Sequence, residues 1–294
     1  MNTKINYCKL SLIIVFFLSF LFCTAQNEAD SSKYHIETID GNTFMGKIIK
    51  QDSVKIIFLT DNLGEINIIK TNIKEIILIE KSKMKDKKYW FDNPQATRYF
   101  FSPNGYGLKA REGYYQNVWV MVNSFAVGLT DNFSIGGGLV PLFFFGETAT
   151  PVWITPKFSI PISKDNVCLG IGGLFGNVLG EEETGFGILY GISTFGSKDN
   201  NLSIGLGYGY AGGDWADLPI INVNIMLRTG ARGYFISENY FIQADGSTIV
   251  LISLGGRQII KNSGLDYGLI IPFTNELNEF IAIPWLGITI PFGK

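Results

Sequence analysis

The sequence predicts an all-β protein: an antiparallel transmembrane β-barrel of about twelve strands, preceded by a small five-stranded β domain. Three observations predict it. First, from Tyr114 to Lys294 bulky apolar residues alternate with small or polar ones, and a period of two is the strand period. Second, the two faces differ in chemistry. In Asn201–Tyr210, Leu202, Ile204, Leu206, Tyr208 and Tyr210 share one face and Ser203, Gly205, Gly207 and Gly209 the other. Greasy outside and small or polar inside is the pattern of an outer-membrane barrel. Third, of 34 glycines only Gly41, Gly46 and Gly64 fall in the first hundred residues, which marks a domain boundary. Beyond Gln26 no apolar run approaches the ~20 residues of a spanning helix, so any crossing must be made by strands closed into a barrel.

The chain opens with an export signal, residues 1–25. Lys4 and Lys9 supply the positive start, Leu10–Phe22 the apolar stretch, and Cys23-Thr24-Ala25 the small-residue cleavage site before Gln26. Acylation of Cys23 would require a small residue before it, and Phe22 is large. Residues 26–33 read as a flexible start. Residues 34–80 read as five strands: Tyr34–Thr38, Phe44–Lys50, Val54–Thr60, Glu65–Lys70 and Ile73–Glu80. Asp40-Gly41 and Asp61–Gly64 supply turns. The spacing Asp40-Gly41, Phe44-x-Gly46-Lys47-Ile48, Asp52, Ile56-x-Phe58, Gly64, Ile73-x-x-Ile76 resembles small Sm-like or SH3-like barrels. Sm-like barrels often bind RNA. This block lacks a strongly basic face, so that property is not carried over. Residues 81–95 read as a Lys-rich linker, solvated or drawn to anionic headgroups.

From residue 96 to 294 twelve strands are expected: Thr97–Lys109, Tyr114–Leu129, Phe133–Phe145, Pro151–Ile162, Val167–Leu179, Gly185–Gly196, Asn201–Gly212, Ile220–Ile236, Tyr240–Ala244, Ile249–Ile260, Leu265–Phe273 and Glu279–Phe292. Ten or fourteen strands stay open, because Ile220–Leu251 divides in more than one way. Turns of the Ser-Lys-Asp-Asn kind recur at every second connection. Short turns face the periplasm in such barrels, which puts both termini and the small domain there. Ala96–Asn117, Thr130–Gly138 and the ending Ile290-Pro-Phe-Gly-Lys294 resemble an outer-membrane barrel family of the Bacteroidota to which no chemistry is assigned. The resemblance covers about residues 95–294 and implies location and fold but no substrate.

The chemistry expected is not catalytic. His35 is the one histidine, in the small domain and expected at its surface, so a Ser-His-Asp triad on the barrel is impossible. Gly207–Gly212 fits the dinucleotide pattern G-x-G-x-x-G, but a strand rather than a helix is expected after it. Glu181–Glu183, Asp214 and Asp217 are loop acids with Ca²⁺-type oxygen ligands, read as solvated. No cofactor, no metal and no nucleic acid are expected. The expected partners are outer-membrane lipid and, through residues 34–80, a periplasmic protein. Alternation places Lys157, Asn222, Asn224, Arg228, Arg232, Asp245, Arg257 and Asp266 toward the lumen, since a charge facing lipid costs roughly 2–4 kcal/mol at mid-depth. These residues would either line a narrow porin-like channel for small solutes, with an excess of cations favouring anions, or plug a non-conducting barrel that anchors an interaction module.

Overall fold

The computed structural model describes residues 32–80, 83–85, 88–142, 149–163, 165–181, 184–244, 247–274 and 279–293. The expected export signal, the start as far as residue 31, Phe143–Phe145, Glu182, Glu183 and Asp245 lie outside the described residues. The chain divides into two units, Met1–Ser82 and Lys83–Lys294.

In the first unit β1 (Tyr34–Thr38), β2 (Thr43–Gln51), β3 (Lys55–Thr60), β4 (Gly64–Ile69) and β5 (Ile73–Leu78) form one antiparallel sheet in the order β4-β3-β2-β1-β5. Alternation along β3 brings Ile56 and Phe58 onto Ile36 and Ile68, a small core closed by Tyr34, Phe44 and Ile73. His35 is not on the surface: it is 5% exposed, on a strand flanked on both sides by β2 and β5. At the β2–β3 turn the Asp52 carboxylate accepts the Val54 and Lys55 N–H groups at 2.7 and 2.8 Å. These two bonds hold its carboxyl below the ordinary aspartate value.

The second unit begins with a short pairing of β6 (Met84–Lys85) with β7 (Lys88–Tyr89), where only a linker was expected. The barrel strands are β8 (Gly113–Val118), β9 (Val122–Gly128), β10 (Phe133–Leu139), β11 (Thr150–Ser163), β12 (Val167–Leu179), β13 (Phe186–Gly196), β14 (Asn201–Ala211), β16 (Ile220–Arg228), β17 (Gly233–Ala244), β18 (Ser247–Ile260), β19 (Ser263–Thr274) and β20 (Ile283–Phe292). A two-residue strand, β15 (Asp214–Trp215), doubles back on β14. Every barrel strand pairs antiparallel with the next, and β20 returns to β8 through Gly287↔Val118 to Phe292↔Gly113. Twelve strands therefore close without an edge, as closure requires.

Two features explain why these residues choose this arrangement. The inner and outer faces alternate: in β14 Asn201, Ser203, Gly205 and Gly207 are buried, while Leu202, Ile204, Leu206 and Tyr208 are exposed. The short turns carry the right chemistry. Gly196, for example, sits at φ +105°, a left-handed conformation glycine adopts at no steric cost.

Three expected strands differ. Thr97–Lys109 is not a strand but irregular chain. Tyr114–Leu129 is a hairpin, β8 and β9, that turns at Trp119–Met121, where Trp119 and Val120 both have positive φ. Ile220–Ile236 ends at Arg228, so the Ser237-Glu-Asn239 turn is instead the middle of β17, and the true turn is Thr229–Arg232. The total of twelve survives because one strand is lost and one gained.

Candidate functional site: the barrel interior

The side chains of an eight-strand barrel fill the space it encloses; twelve strands leave room. Here the chain fills part of it with itself. Residues 93–106 carry Gln95, Tyr99, Phe100, Ser102 and Asn104, all at most 2% exposed, and they bond to inner-face residues from β8 round to β20. Irregular backbone of this kind needs partners for its polar groups, and the barrel wall supplies them at three nodes.

The first node is Arg257 on β18, fully buried. Its Nε and Nη2 donate to the two Asp266 carboxylate oxygens of β19 at 2.6 and 2.8 Å. Nη1 also donates to Asn93 Oδ1 and Gln95 O, and the second Nη2 hydrogen is shared between Gln95 Oε1 and Tyr99 O, all between 2.7 and 3.0 Å. A buried charge is tolerable only when paired and hydrogen-bonded, and register explains the pairing, since Arg257 lies directly opposite Asp266.

The second node is Glu238 on β17. The N–H groups of Phe100, Phe101 and Ser102 converge on its Oε2 at 2.9, 3.0 and 3.0 Å, and Tyr240 donates to Oε1 at 2.8 Å. Every neighbour is a donor, which an acceptor-only carboxylate satisfies. Beside it Ser102 Oγ accepts from Asn222 and Asn224.

The third node surrounds Gly105. Its N–H donates to Thr194 Oγ1 at 2.7 Å, and Lys157 donates to Tyr106 O at 2.5 Å. A Cβ added at Gly105 would stand 2.2 Å from the Cys168 carbonyl oxygen, so only glycine lets the segment approach the wall this closely. Tyr99 completes the set by donating to Asn201 Oδ1 at 2.6 Å.

Of the residues singled out from the sequence, Lys157, Asn222, Asn224 and Arg257 bond this segment, and Asp266 reaches it through Arg257. Arg228 and Arg232 do not; they lie at the short-turn rim. Arg228 bonds Asp199 at 2.7 Å, donates to Phe91 O, and packs over Trp90 and Tyr234. Arg232 packs over Phe91 at 3.5 Å. Sequence reasoning missed the inward course of 93–106, together with Glu238 and Thr194. Glu238 was hidden by its Ser-Glu-Asn setting, which imitates the real polar turns. Gly207–Gly212 runs along β14 into its turn, with no helix N-terminus after it.

On the long-connection side of the inserted segment lies a cavity of about 210 Å³. Its wall is largely aromatic and aliphatic, with Tyr114, Trp119, Phe125, Leu174, Ile188 and Trp285 among its residues. On the short-turn side lies a polar recess of about 400 Å³, bordered by Asp92, Lys109, Glu112, Asp165, Lys198 and Asp199. Residues 93–106 stand between the two.

No family model matches the chain, and no curated protein matches it. One solved structure to which it is similar is the KdgM porin in complex with disordered oligogalacturonate. The TM-score is 0.44 and the identity 6%, over 62% of this chain and 98% of the porin.

Proposed function

We propose that this protein is an outer-membrane β-barrel whose lumen is closed at rest by its own residues 93–106, so that the barrel anchors the first unit rather than serving as a standing pore. Membrane placement rests on the outer face. Ile171, Phe158, Ile154, Leu286, Ile204 and Leu206 are each 47–59% exposed, on strands that alternate cleanly. Soluble proteins rarely expose contiguous apolar surface of this extent. The closed lumen rests on one observation, the three consecutive N–H groups held by Glu238.

A narrow, gated porin-like channel is the second reading. It is favoured by the fact that the chain separating cavity from recess is held by side-chain bonds and not by strand pairing. Planar-bilayer recording separates the two. Under the first reading the intact protein passes no steady current, and replacing residues 93–106 with a Gly/Ser linker opens an ohmic channel. Brief openings of the intact protein would favour the gated reading. A steady open-level conductance from the intact protein would overturn the closed lumen.

A further inference from the structure

We propose that the cavity of the barrel interior binds a medium-chain carboxylate, with its hydrocarbon tail against the aromatic and aliphatic wall and its head on Arg98. Ligand sites typically combine an apolar wall with a few placed polar groups, and three observations on this cavity ask for such a ligand.

The first is Arg98. It sits on the inserted segment and lines the cavity. Among the described residues one of its five donors is used: Nη1 to Gln116 Oε1 at 2.9 Å. Its guanidinium packs over the Tyr114 ring at 5.5 Å. Among the described residues it has no carboxylate partner, whereas Arg257 and Arg228 both do.

The second is Trp285. Its side chain lines the cavity and is 7% exposed, and its indole N–H finds no acceptor among the described residues. Ring contacts to Phe100 at 5.6 Å and Trp119 at 5.2 Å hold it in place. An unpaired buried donor is costly unless a ligand completes it. Asn222 Oδ1, on the same wall, is likewise buried without a donor.

The third is size. At ~30 Å³ per water-sized unit, 210 Å³ holds roughly seven heavy atoms, the seven-carbon tail of an eight-carbon carboxylate. Arg98 is the one charged residue lining the cavity among the described residues, and its guanidinium recognises a carboxylate by two parallel bonds. A neutral alcohol would satisfy Trp285 and leave Arg98 unchanged.

The inference requires the segment to lie inside the barrel but is independent of conductance, so its failure and that of a closed lumen are separable. The full chain in lipid nanodiscs is titrated with octanoate and with octan-1-ol by calorimetry, and empty nanodiscs report bilayer partition. Octanoate should bind saturably, one per chain, at least tenfold tighter than octanol. Arg98→Gln should bring octanoate to the octanol level, and Ile188→Trp should remove binding of both by filling the cavity. Heat-modifiable migration certifies the fold of each variant, and where one fails to fold the other decides. Absence of saturable octanoate binding, equal affinity for octanoate and octanol, or unchanged octanoate affinity in a folded variant overturns the proposal.

Discussion

Replacing Glu238 by Leu tests whether the inserted segment is held or merely present. The substitution removes the acceptor of three backbone N–H groups while leaving those groups in a water-poor interior. Each unpaired buried donor costs ~1–3 kcal/mol, and loss of the carboxylate's own desolvation offsets part of the total. Taking the low end, about 3 kcal/mol shifts the segment's release equilibrium by roughly two decades, at about 1.4 kcal/mol per decade. The assay is thiol labelling with a maleimide at Thr97→Cys, a buried position on the segment, in a Cys168→Ser background. Glu238→Leu should label roughly 100-fold faster than the parent. Glu238→Gln should fall between, because neutral hydrogen bonds are about half as strong as charge-assisted ones. Equal rates in all three, with heat-modifiable migration intact, would refute a segment held by Glu238.

Three further outcomes are expected. Leu206→Arg, at a position 47% exposed on the outer face, should cost ~2–4 kcal/mol in urea unfolding from lipid vesicles if it lies near mid-depth; wild-type stability would remove that face from lipid. Asp266→Leu leaves Arg257 buried and unpaired and should destabilise by ~3–5 kcal/mol, whereas the double change Arg257→Met with Asp266→Leu should recover most of that loss, a result urea midpoints can check. In the first unit, Asp52 should titrate below an ordinary aspartate by carboxyl NMR, because Lys55 and Val54 donate to it. Its folded value is the lower one, so its contribution is present above the ordinary aspartate value and is lost as pH falls through the folded value; titration at or above the ordinary value contradicts the turn geometry.

The barrel wall was readable because a sheet with two different environments writes its register into every second residue. Ser203 and Ile204 could only have been assigned one way, and Gly205 leaves room where a Cβ would meet Asn222 Oδ1 at 2.0 Å. The β8–β9 hairpin was not readable. Its turn places Trp119 and Val120 at φ +52° and +65°, where glycine or asparagine is the usual signal and a β-branched residue is disfavoured. Continuity of apolar residues from Val118 to Val122 therefore looked like unbroken strand. Two outside contacts hold the turn instead: Trp119 N–H donates to Leu286 O at 3.0 Å and its indole to Pro284 O at 2.6 Å.

The inserted segment was misread for a deeper reason. Arg98-Tyr-Phe-Phe-Ser102 has strand-like composition, and composition cannot say whether aromatic residues face outward in a wall or inward as its filling. The deciding information is in the partners. Glu238, Arg257, Lys157 and Thr194 lie on four different strands and are brought together only once the barrel closes. Those same partners support the proposed internal plug over a polar solute path, the two uses that the alternating charges left open. Arg257 spends its donors on Asp266, Asn93, Gln95 and Tyr99, and Glu238 spends its oxygens on the backbone and on Tyr240. Groups that saturate each other offer little to a passing ion. Trp285 Nε1 and Asn222 Oδ1 are buried without a partner among the described residues and stand with Arg98 on the wall of the apolar cavity, and that is where the interior retains the capacity to recognise something other than itself.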